Sequence, residues 1–306
     1  MSTIDIPALF QQLNGSEDTG LASIHTPVQH TPEGTPYLEA PGVVVLARPQ
    51  TNMAGLAGFL DGFDPALQFP DYLNDPTPLP DGAQLCKIAG QVCYMSFGPK
   101  RSWNEKAEKY FNNLKSSGHG SVFEHANFSL LFYGISRSVT HELIRHRAGF
   151  AYSQLSQRYV SGRSLRFVER PEYRVDEQLH QFFLQRIDRA AHEYAALTDR
   201  LLEMQHEGVE ILSADARTDL RKKVQQTARS VLPNETETTV VVTGNTRAWR
   251  HFIEMRANAH AETEIRELAV RAFLCLRLTD PVLFDDYELE SLSDGTYAVK
   301  TDFHKI

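Results

Sequence analysis

The strongest constraint on the fold of this chain is an apolar run that leads directly into three cationic side chains. Residues 126–135, ANFSLLFYGI, are apolar on both faces and predict a strand. Ser136 follows as the expected N-cap of a helix that carries VTHELIRHR. That helix brings Arg145, His146 and Arg147 to the edge of the core. Because the burial of unpaired charge is costly, these side chains must face solvent or meet an anion.

The residues after this cationic triplet favour an anionic ligand. Ser153, Ser156 and Arg158 supply two hydroxyls and a planar guanidinium, a combination that suits a phosphate. Gln154 adds a carboxamide that can satisfy the donor and acceptor edge of a pyrimidine. The alternative interpretation is a solvated helix end whose cations stabilise the helix dipole.

The overall charge argues against a nucleic-acid polymer as the partner. The 306 residues carry a formal net charge of -8, whereas a general nucleic-acid binder presents a basic surface. The three cysteines have no zinc-type spacing, and their odd number does not make a disulfide framework, so we expect a cytoplasmic protein. We expect neither a secretory signal nor a membrane partner, because no apolar run reaches membrane-spanning length.

Two histidine-containing segments resemble metal motifs but have the wrong spacing. In HELIRH (141–146) the histidines are separated by one residue more than ligation from a single helix requires. At that separation the two side chains diverge by roughly 140° around the helix axis. HGSVFEH (119–125) fits no familiar zinc spacing either. The sequence therefore predicts no metal site.

The order of the predicted elements indicates an α+β fold. There is no regular βαβ rhythm, so a mixed or antiparallel sheet with long helices is favoured over a doubly wound sheet. Residues 1–40 are polar and predict an N-terminal extension or arm, which leaves 41–306 as the main domain. The predicted strands are 42–49, 126–135, 164–171 and 238–245, residues 64–82 are a predicted loop, and the predicted helices are 84–96, 104–118, 175–207 (ended by Gly208), 216–232 (ended by Pro233) and 246–278 in two pieces.

Four separated motifs resemble those of the flavin-dependent thymidylate synthases. RHRAGFAYSQLSQRY (145–159) resembles the family signature, in which an RHR is followed by seven or eight residues and a serine. GHGSVFEH (118–125) resembles the family's G-H-x-[ST]-x-F-E-H element. ARSVLP (228–233) and NTRAWRHFIEMR (245–256) resemble its two C-terminal arginine-bearing elements. The motifs occur in the family's order over about residues 84 to 280.

This resemblance implies a fold, an assembly and a chemistry. The family has a mixed fold and forms homotetramers with active sites shared between subunits. It transfers the methylene group of methylenetetrahydrofolate to carbon 5 of dUMP, with FAD as the redox cofactor, NADPH as the usual reductant and no attacking cysteine. The loop after Arg147 is one residue longer than in many members, and Ala151 replaces a common serine. The alternatives are therefore a specialised methylase of UMP or another uridine nucleotide, and a non-catalytic flavin- or nucleotide-binding homologue.

The resemblance also implies roles for individual residues. Arg256 falls at the pyrimidine ring as the catalytic residue, where it would stabilise negative charge as carbon 5 becomes nucleophilic. His251 stands where an asparagine is frequent, with a flavin or folate role. The cofactor positions are His119, Ser121, Glu124, Arg145, His146, Arg147, Asn245, Arg247 and His251, and the substrate positions are Glu142, Gln154, Ser156, Gln157, Arg158, Arg229 and Arg256.

Overall fold

A six-stranded antiparallel sheet forms the centre of the fold. The computed structural model describes residues 5–16, 20–160, 165–207, 217–304 and 306. The strands are β1 (Gly15–Ser16), β2 (Ser23–Ile24), β3 (Val28–His30), β4 (Pro36–Leu38), β5 (Gly42–Ala47), β6 (Asn127–Ser136), β7 (Phe150–Gln154), β8 (Phe167–Val168), β9 (Glu237–Asn245), β10 (Glu288–Ser291) and β11 (Tyr297–Lys300). The central sheet has the order β1-β2-β5-β6-β9-β7, and each neighbouring pair is antiparallel.

Helices surround this sheet and provide most of the connections. They are α1 (Ile6–Gln12), α2 (Ala57–Leu60), α3 (Asp81–Val92), α4 (Ala107–Ser116), α5 (Arg137–Leu143), α6 (Pro171–Arg174), α7 (Glu177–His206), α8 (Arg217–Ala228), α9 (Thr246–Arg256), α10 (Thr263–Thr279) and α11 (Pro281–Phe284). Short 3-10 turns lie at Ala54–Leu56, Pro65–Leu67, Phe69–Asn74, Asn104–Lys106, Gly120–Glu124 and Arg229–Val231. Within these ranges no helix has the length and apolar character needed to cross a membrane.

One face of the central sheet carries the main hydrophobic core. Side chains alternate along β6 and β9, so Phe132 and Val242 are fully buried while Leu131 and Val241 are only partly covered. Helices α9 and α10 pack on the buried face, and Trp249 contacts Phe132 with 6.0 Å between ring centroids. The opposite face of the sheet is therefore only half covered within one chain.

The residues before position 41 pack against the rest of the chain. Ile6 and Phe10 of α1 are buried in the main core, and β1 and β2 extend the central sheet through the pairing of β2 with β5. Strands β3 and β4 join β8 in a second sheet, where β4 and β8 are parallel. Tyr37 of β4 packs there against Phe183 of α7. The predicted domain boundary at residue 40 stays a prediction.

The predicted α+β class with a largely antiparallel sheet and long helices is confirmed. Ser136 caps α5 by accepting a hydrogen bond from the Val139 amide at 3.2 Å, and α7 occupies nearly all of the predicted helix 175–207. Gly208, its predicted end, lies outside the described residues. The predicted strand 164–171 is wrong in extent, since only Phe167–Val168 pair as a strand before Pro171 begins α6.

Candidate active site

The cationic triplet lies just beyond α5, in the turn that leads to β7. The helix ends at Leu143, and the amide of His146 donates to the Leu143 carbonyl at 3.2 Å. Arg145 and Arg147 are exposed, whereas His146 is only 9% exposed. The structure thus buries the one member of the triplet that can become neutral, which avoids the cost of an unpaired buried charge.

His146 is held in a short chain of polar contacts. Arg256, the last residue of α9, donates through Nε to Nε2 of His146 at 3.0 Å and through NH1 to Oε2 of Glu142 at 2.7 Å. Burial, followed by the charges of Arg256 and His251, lowers the pKa of His146 to about 4. A neutral imidazole can accept the Arg256 hydrogen bond. The predicted catalytic arginine and two predicted ligand-binding residues therefore meet in one cluster.

A cavity of about 470 Å³ lies at the N-terminus of α9, and its lining residue His251 connects it to this cluster, with 5.6 Å between the ring centroids of His251 and His146. Arg247 reaches across it and donates through NH1 to Oε1 of Glu124 at 2.6 Å. His119 and Ser121 are exposed in the segment that carries Glu124, outside the cavity lining. The lining consists of Glu124, Ala148, Gly149, Asn245, Arg247, Ala248, His251 and Ile306, so the structure brings four predicted cofactor residues together.

The cavity is shaped by close contact between two loops. Gly149 has φ +76°, and a Cβ atom at this position would lie 2.8 Å from Nδ2 of Asn245 and 2.9 Å from Cβ of Ala248. Asn245 in turn caps α9 by accepting from the Ala248 amide at 2.8 Å. The surface of the cavity thus combines the N-terminus of the 11-residue helix α9 with the Arg247 guanidinium. Such a surface favours a negatively charged group.

The predicted substrate residues follow β7 on a separate turn. Ser156 accepts a hydrogen bond from the Arg158 amide at 3.3 Å, and the Arg158 guanidinium is exposed. The Arg158 Cζ atom lies 5.6 Å from the Tyr159 ring centroid, and Nζ of Lys222 lies 4.9 Å from the same centroid. Two cations from distant parts of the sequence therefore share one aromatic ring. Lys222 was outside the sequence motifs.

Two glutamines of this region have different environments. Gln154 donates through Nε2 to the hydroxyls of Thr140 and Thr238, at 3.3 Å and 3.2 Å, so it ties β7 to α5 and β9. Gln157 is buried, and its Nε2 atom has no hydrogen-bond partner among the described residues. The amide of Gln157 is thus a donor that a ligand or a solvent molecule can satisfy.

Arg137 and Arg229 form a second pair of cations, of which the sequence motifs include only Arg229. Burial, followed by the charge of Arg229, lowers the pKa of Arg137. Neither guanidinium pairs with a carboxylate in the described parts of the chain. Arg137 is also the first residue of α5, where a cation opposes the helix dipole. That unfavourable position is the sequence signal that marks Arg137 as a candidate anion ligand.

The predicted residues fall into several groups rather than one enclosed pocket. Arg145 donates through Nε to the His141 carbonyl at 3.1 Å and, like Arg147, does not line the cavity. Among the described residues there is no cluster of three or more metal-ligating side chains. The cofactor and substrate roles of the individual residues stay predictions.

Comparison with known proteins identifies the class of enzyme to which this fold and these motifs belong. The family described as "Thymidylate synthase complementing protein" matches residues 74–282. A flavin-dependent thymidylate synthase of Mycobacterium sp. (strain KMS) is 46% identical over 220 residues, which are 72% of this chain and 85% of that protein. The enzyme of Mycobacterium tuberculosis (strain ATCC 25177 / H37Ra) is 42% identical over 233 residues, or 74% of this chain and 90% of that protein.

A solved structure shares the fold. PolB of Streptomyces cacaoi, a UMP/dUMP methylase bound with 5-Br dUMP, aligns with a TM-score of 0.54 over 81% of this chain and 94% of its own. At 19% identity this likeness supports the fold alone. The sequence matches go further, and the chain belongs to the flavin-dependent thymidylate synthase family, a family of methyltransferase enzymes. The resemblance found in the motifs is thereby confirmed.

Proposed function

We propose that this protein converts dUMP to dTMP by reductive methylation of carbon 5 of the uracil ring. The one-carbon donor is methylenetetrahydrofolate, the redox cofactor is FAD and the reductant is NADPH. The observation that carries this proposal is the contact of Arg256 with His146 and Glu142, in a cluster that His251 links to the cavity at the start of α9. Membership of the family supports the reaction as a whole.

The cavity residues fit a cofactor that carries phosphate groups. Gly149 lets the loop after Arg147 pack directly against Asn245 and Ala248, and the N-terminus of α9 and Arg247 supply positive potential there. Glu124, Asn245 and His251 complete the polar lining. His119, Ser121, Arg145, His146 and Arg147 lie on the neighbouring turns and remain candidate cofactor contacts. When bound, FAD would supply the hydride for the reaction.

Arg256 is proposed to stabilise the reacting pyrimidine. Its Nε donates to a neutral His146, so the imidazole holds the guanidinium without adding charge. NH2 of Arg256 has no hydrogen bond within the described residues. That group can therefore donate to a uracil carbonyl, where it would oppose the negative charge that develops as carbon 5 attacks. Glu142 keeps the guanidinium oriented through NH1.

The remaining cations are proposed to bind the nucleotide. Arg158 and Lys222 flank Tyr159, and Arg137 adjoins Arg229. A nucleotide monophosphate would relieve the repulsion between adjacent guanidinium groups, because each can donate to phosphate oxygens. We assign Gln154, Ser156 and Gln157 to the same substrate, with Ser156 as a positioning hydroxyl, since no base within hydrogen-bonding distance activates it in the described residues.

We propose a homotetramer whose subunits share active sites. Arg145, Arg147 and Arg158 are exposed in one chain, and one face of the central sheet is only half covered. A neighbouring subunit on that face would enclose these cations around the anionic ligands. We also propose a cytoplasmic location, which the cysteine usage of the sequence predicts.

The decisive experiment is an assay of the purified protein with FAD. We expect a yellow protein that consumes NADPH and forms dTMP only when both dUMP and methylenetetrahydrofolate are present. A colourless preparation that takes up no FAD contradicts the proposal. A protein that binds FAD and nucleotide without forming dTMP supports a non-catalytic homologue instead.

The same assay tests UMP against dUMP. Turnover of UMP that equals or exceeds turnover of dUMP assigns the protein to a specialised methylase of ribonucleotides.

The variants Arg158→Ala and Arg147→Ala test which cations bind the nucleotide and which bind the flavin. We expect Arg158→Ala to weaken nucleotide binding and retain flavin colour, and Arg147→Ala to do the reverse. Equal effects of both variants on one ligand contradict this division.

A further inference from the structure

The hydroxyl of Tyr152 is bonded to the turn that carries the cationic triplet. Tyr152 lies in β7, and its hydroxyl donates to the His146 carbonyl at 2.6 Å and lies 3.1 Å from the Leu143 carbonyl. Both carbonyls lie at or just beyond the C-terminus of α5, where a helix leaves carbonyls without its regular amide partners, although the Leu143 carbonyl also accepts from the His146 amide. Burial raises the pKa of Tyr152 to about 12, so the hydroxyl keeps its proton and remains a donor at neutral pH.

This contact anchors the backbone of His146 while other residues anchor its ring. The imidazole accepts from Arg256 at 3.0 Å, and its ring centroid lies 5.3 Å from that of Phe252 and 5.6 Å from that of His251. On the backbone side, the His146 amide has a long bond of 3.2 Å to Leu143. The shorter Tyr152 bond is therefore the stronger constraint on where this turn places the ring.

We propose that Tyr152 is a positioning residue whose hydroxyl fixes the His146 carbonyl, so that the imidazole holds Arg256 in the orientation required for catalysis. Tyr152 acts through His146 and is not among the residues that line the cavity. The inference rests on the proposed function, because it assigns Arg256 to the reacting pyrimidine. The Tyr152→Phe substitution removes the donor and retains the ring beside Phe150, with which Tyr152 packs at 5.9 Å between centroids.

The matched control is Tyr133→Phe on strand β6 of the same sheet, which β9 separates from β7. The Tyr133 hydroxyl accepts from the Thr26 amide at 3.2 Å and lies 3.4 Å from Nδ1 of His25, so the control also removes a bonded tyrosine hydroxyl, but one whose partners are remote in sequence from the turn. For Tyr152→Phe we expect kcat with dUMP to fall by about tenfold and KM to change by less than about threefold. For Tyr133→Phe we expect kcat within about twofold of the wild-type value.

A second measurement needs no turnover. In protein labelled with ¹³C-histidine, and with the His146 signal assigned through His146→Gln, we expect His146 to titrate near 4 in the wild-type protein. In Tyr152→Phe the ring gains solvent, and its titration midpoint should rise by about one unit toward the ordinary histidine value. Arg256, His251 and Glu142 are the charged or titratable groups around the ring, and all three remain in this variant.

Clear outcomes overturn the proposal. It fails if Tyr152→Phe keeps kcat within about twofold of the wild type, or if Tyr133→Phe loses as much activity. It also fails if the His146 midpoint is the same in Tyr152→Phe and wild-type protein. A wild-type His146 that titrates near 6.5 overturns it even if the variant does not fold. An inactive wild-type protein whose His146 midpoint shifts as expected would contradict the proposed function and leave the positioning role standing.

Discussion

Arg256 donates through Nε to Nε2 of His146 at a distance of 3.0 Å. The two residues lie 110 positions apart in the sequence, one at the end of α9 and the other in the turn after α5. An imidazole nitrogen accepts this bond only when it carries no proton, and the lowered pKa of His146 satisfies that condition at neutral pH. The positive charge of the pair therefore resides on Arg256, where it can stabilise a negative charge that develops nearby.

Replacement of Arg256 by lysine should abolish most turnover. An ammonium group keeps the charge but cannot reproduce the planar fork that bonds His146 and Glu142 together. We expect kcat to fall by about a hundredfold, with little change in FAD affinity. Steady-state kinetics and a flavin titration measure both quantities. The control is Arg277→Lys, since Arg277 of α10 forms an ion pair with Asp285, the residue after α11. Near-wild-type turnover of Arg256→Lys contradicts the assigned role.

Replacement of Arg247 by alanine should weaken flavin binding without unfolding the protein. The side chains of Arg247 and Glu124 are 43% and 48% exposed, so their ion pair contributes less than about 1 kcal/mol to stability. We expect the FAD dissociation constant to rise by about tenfold, as measured by quenching of flavin fluorescence. Arg200→Ala removes a comparable exposed ion pair on α7 and should leave FAD affinity unchanged. Unchanged affinity in Arg247→Ala would place FAD elsewhere.

Replacement of Arg137 by alanine should weaken the binding of dUMP without lowering the stability of the free protein. Arg137 is partly buried next to Arg229, so its removal relieves repulsion in the free protein. We expect an equal or higher Tm without ligand, a higher KM for dUMP and a smaller dependence of KM on salt. Thermal unfolding and kinetics at several salt concentrations measure these effects. Arg189→Ala, exposed on α7, is the control; a lower Tm with unchanged KM contradicts an anion site at Arg137.

Asp280 should make the protein less stable as the pH rises. Its carboxyl group is 1% exposed, and burial raises its pKa from 3.8 to about 7, while the bond from the Ala83 amide opposes that rise. Between these two values the unfolded chain has released a proton that the folded chain retains, so stability falls with increasing pH. Asp280→Asn should therefore gain stability relative to wild type from about pH 4 to 7, by at most about 4 kcal/mol.

Urea unfolding at several pH values measures this difference. Asp199→Asn, on an exposed part of α7, should show no such trend. An Asp280→Asn variant that is equally destabilised at pH 5 and pH 8 would mean that the carboxylate stays ionised and acts as a required hydrogen-bond acceptor.

Replacement of Cys93 by alanine should leave turnover intact. Cys86 and Cys275 are completely buried, and burial raises the pKa of both thiols, so neither is a ready nucleophile. Cys93 is exposed, but it lies at the end of α3, outside the cavity lining. We expect kcat within about twofold of wild type. Complete loss of activity in a folded Cys93→Ala protein would indicate covalent thiol catalysis.

Local signals in the sequence predicted much of the fold. The β-branched run before Asn245 became β9, the serine after the apolar run became the cap of α5, and the periodicity of residues 175–207 became α7. Four of the nine cofactor positions implied by the family motifs line the cavity, and the roles of all nine stay predictions. The extent of β8 was predicted wrongly, because its pairing depends on β4, more than 100 residues earlier in the chain.

The sequence by itself determined the element types, the fold class and the family, because periodicity, capping residues and motifs report on neighbours along the chain. Only the tertiary structure decided that His146 is buried while Arg145 and Arg147 are exposed. It likewise decided the contacts of Arg256 with His146 and of Tyr152 with the same turn. The physical reason is that burial and charge pairing depend on distances between residues far apart in sequence, and packing alone sets those distances.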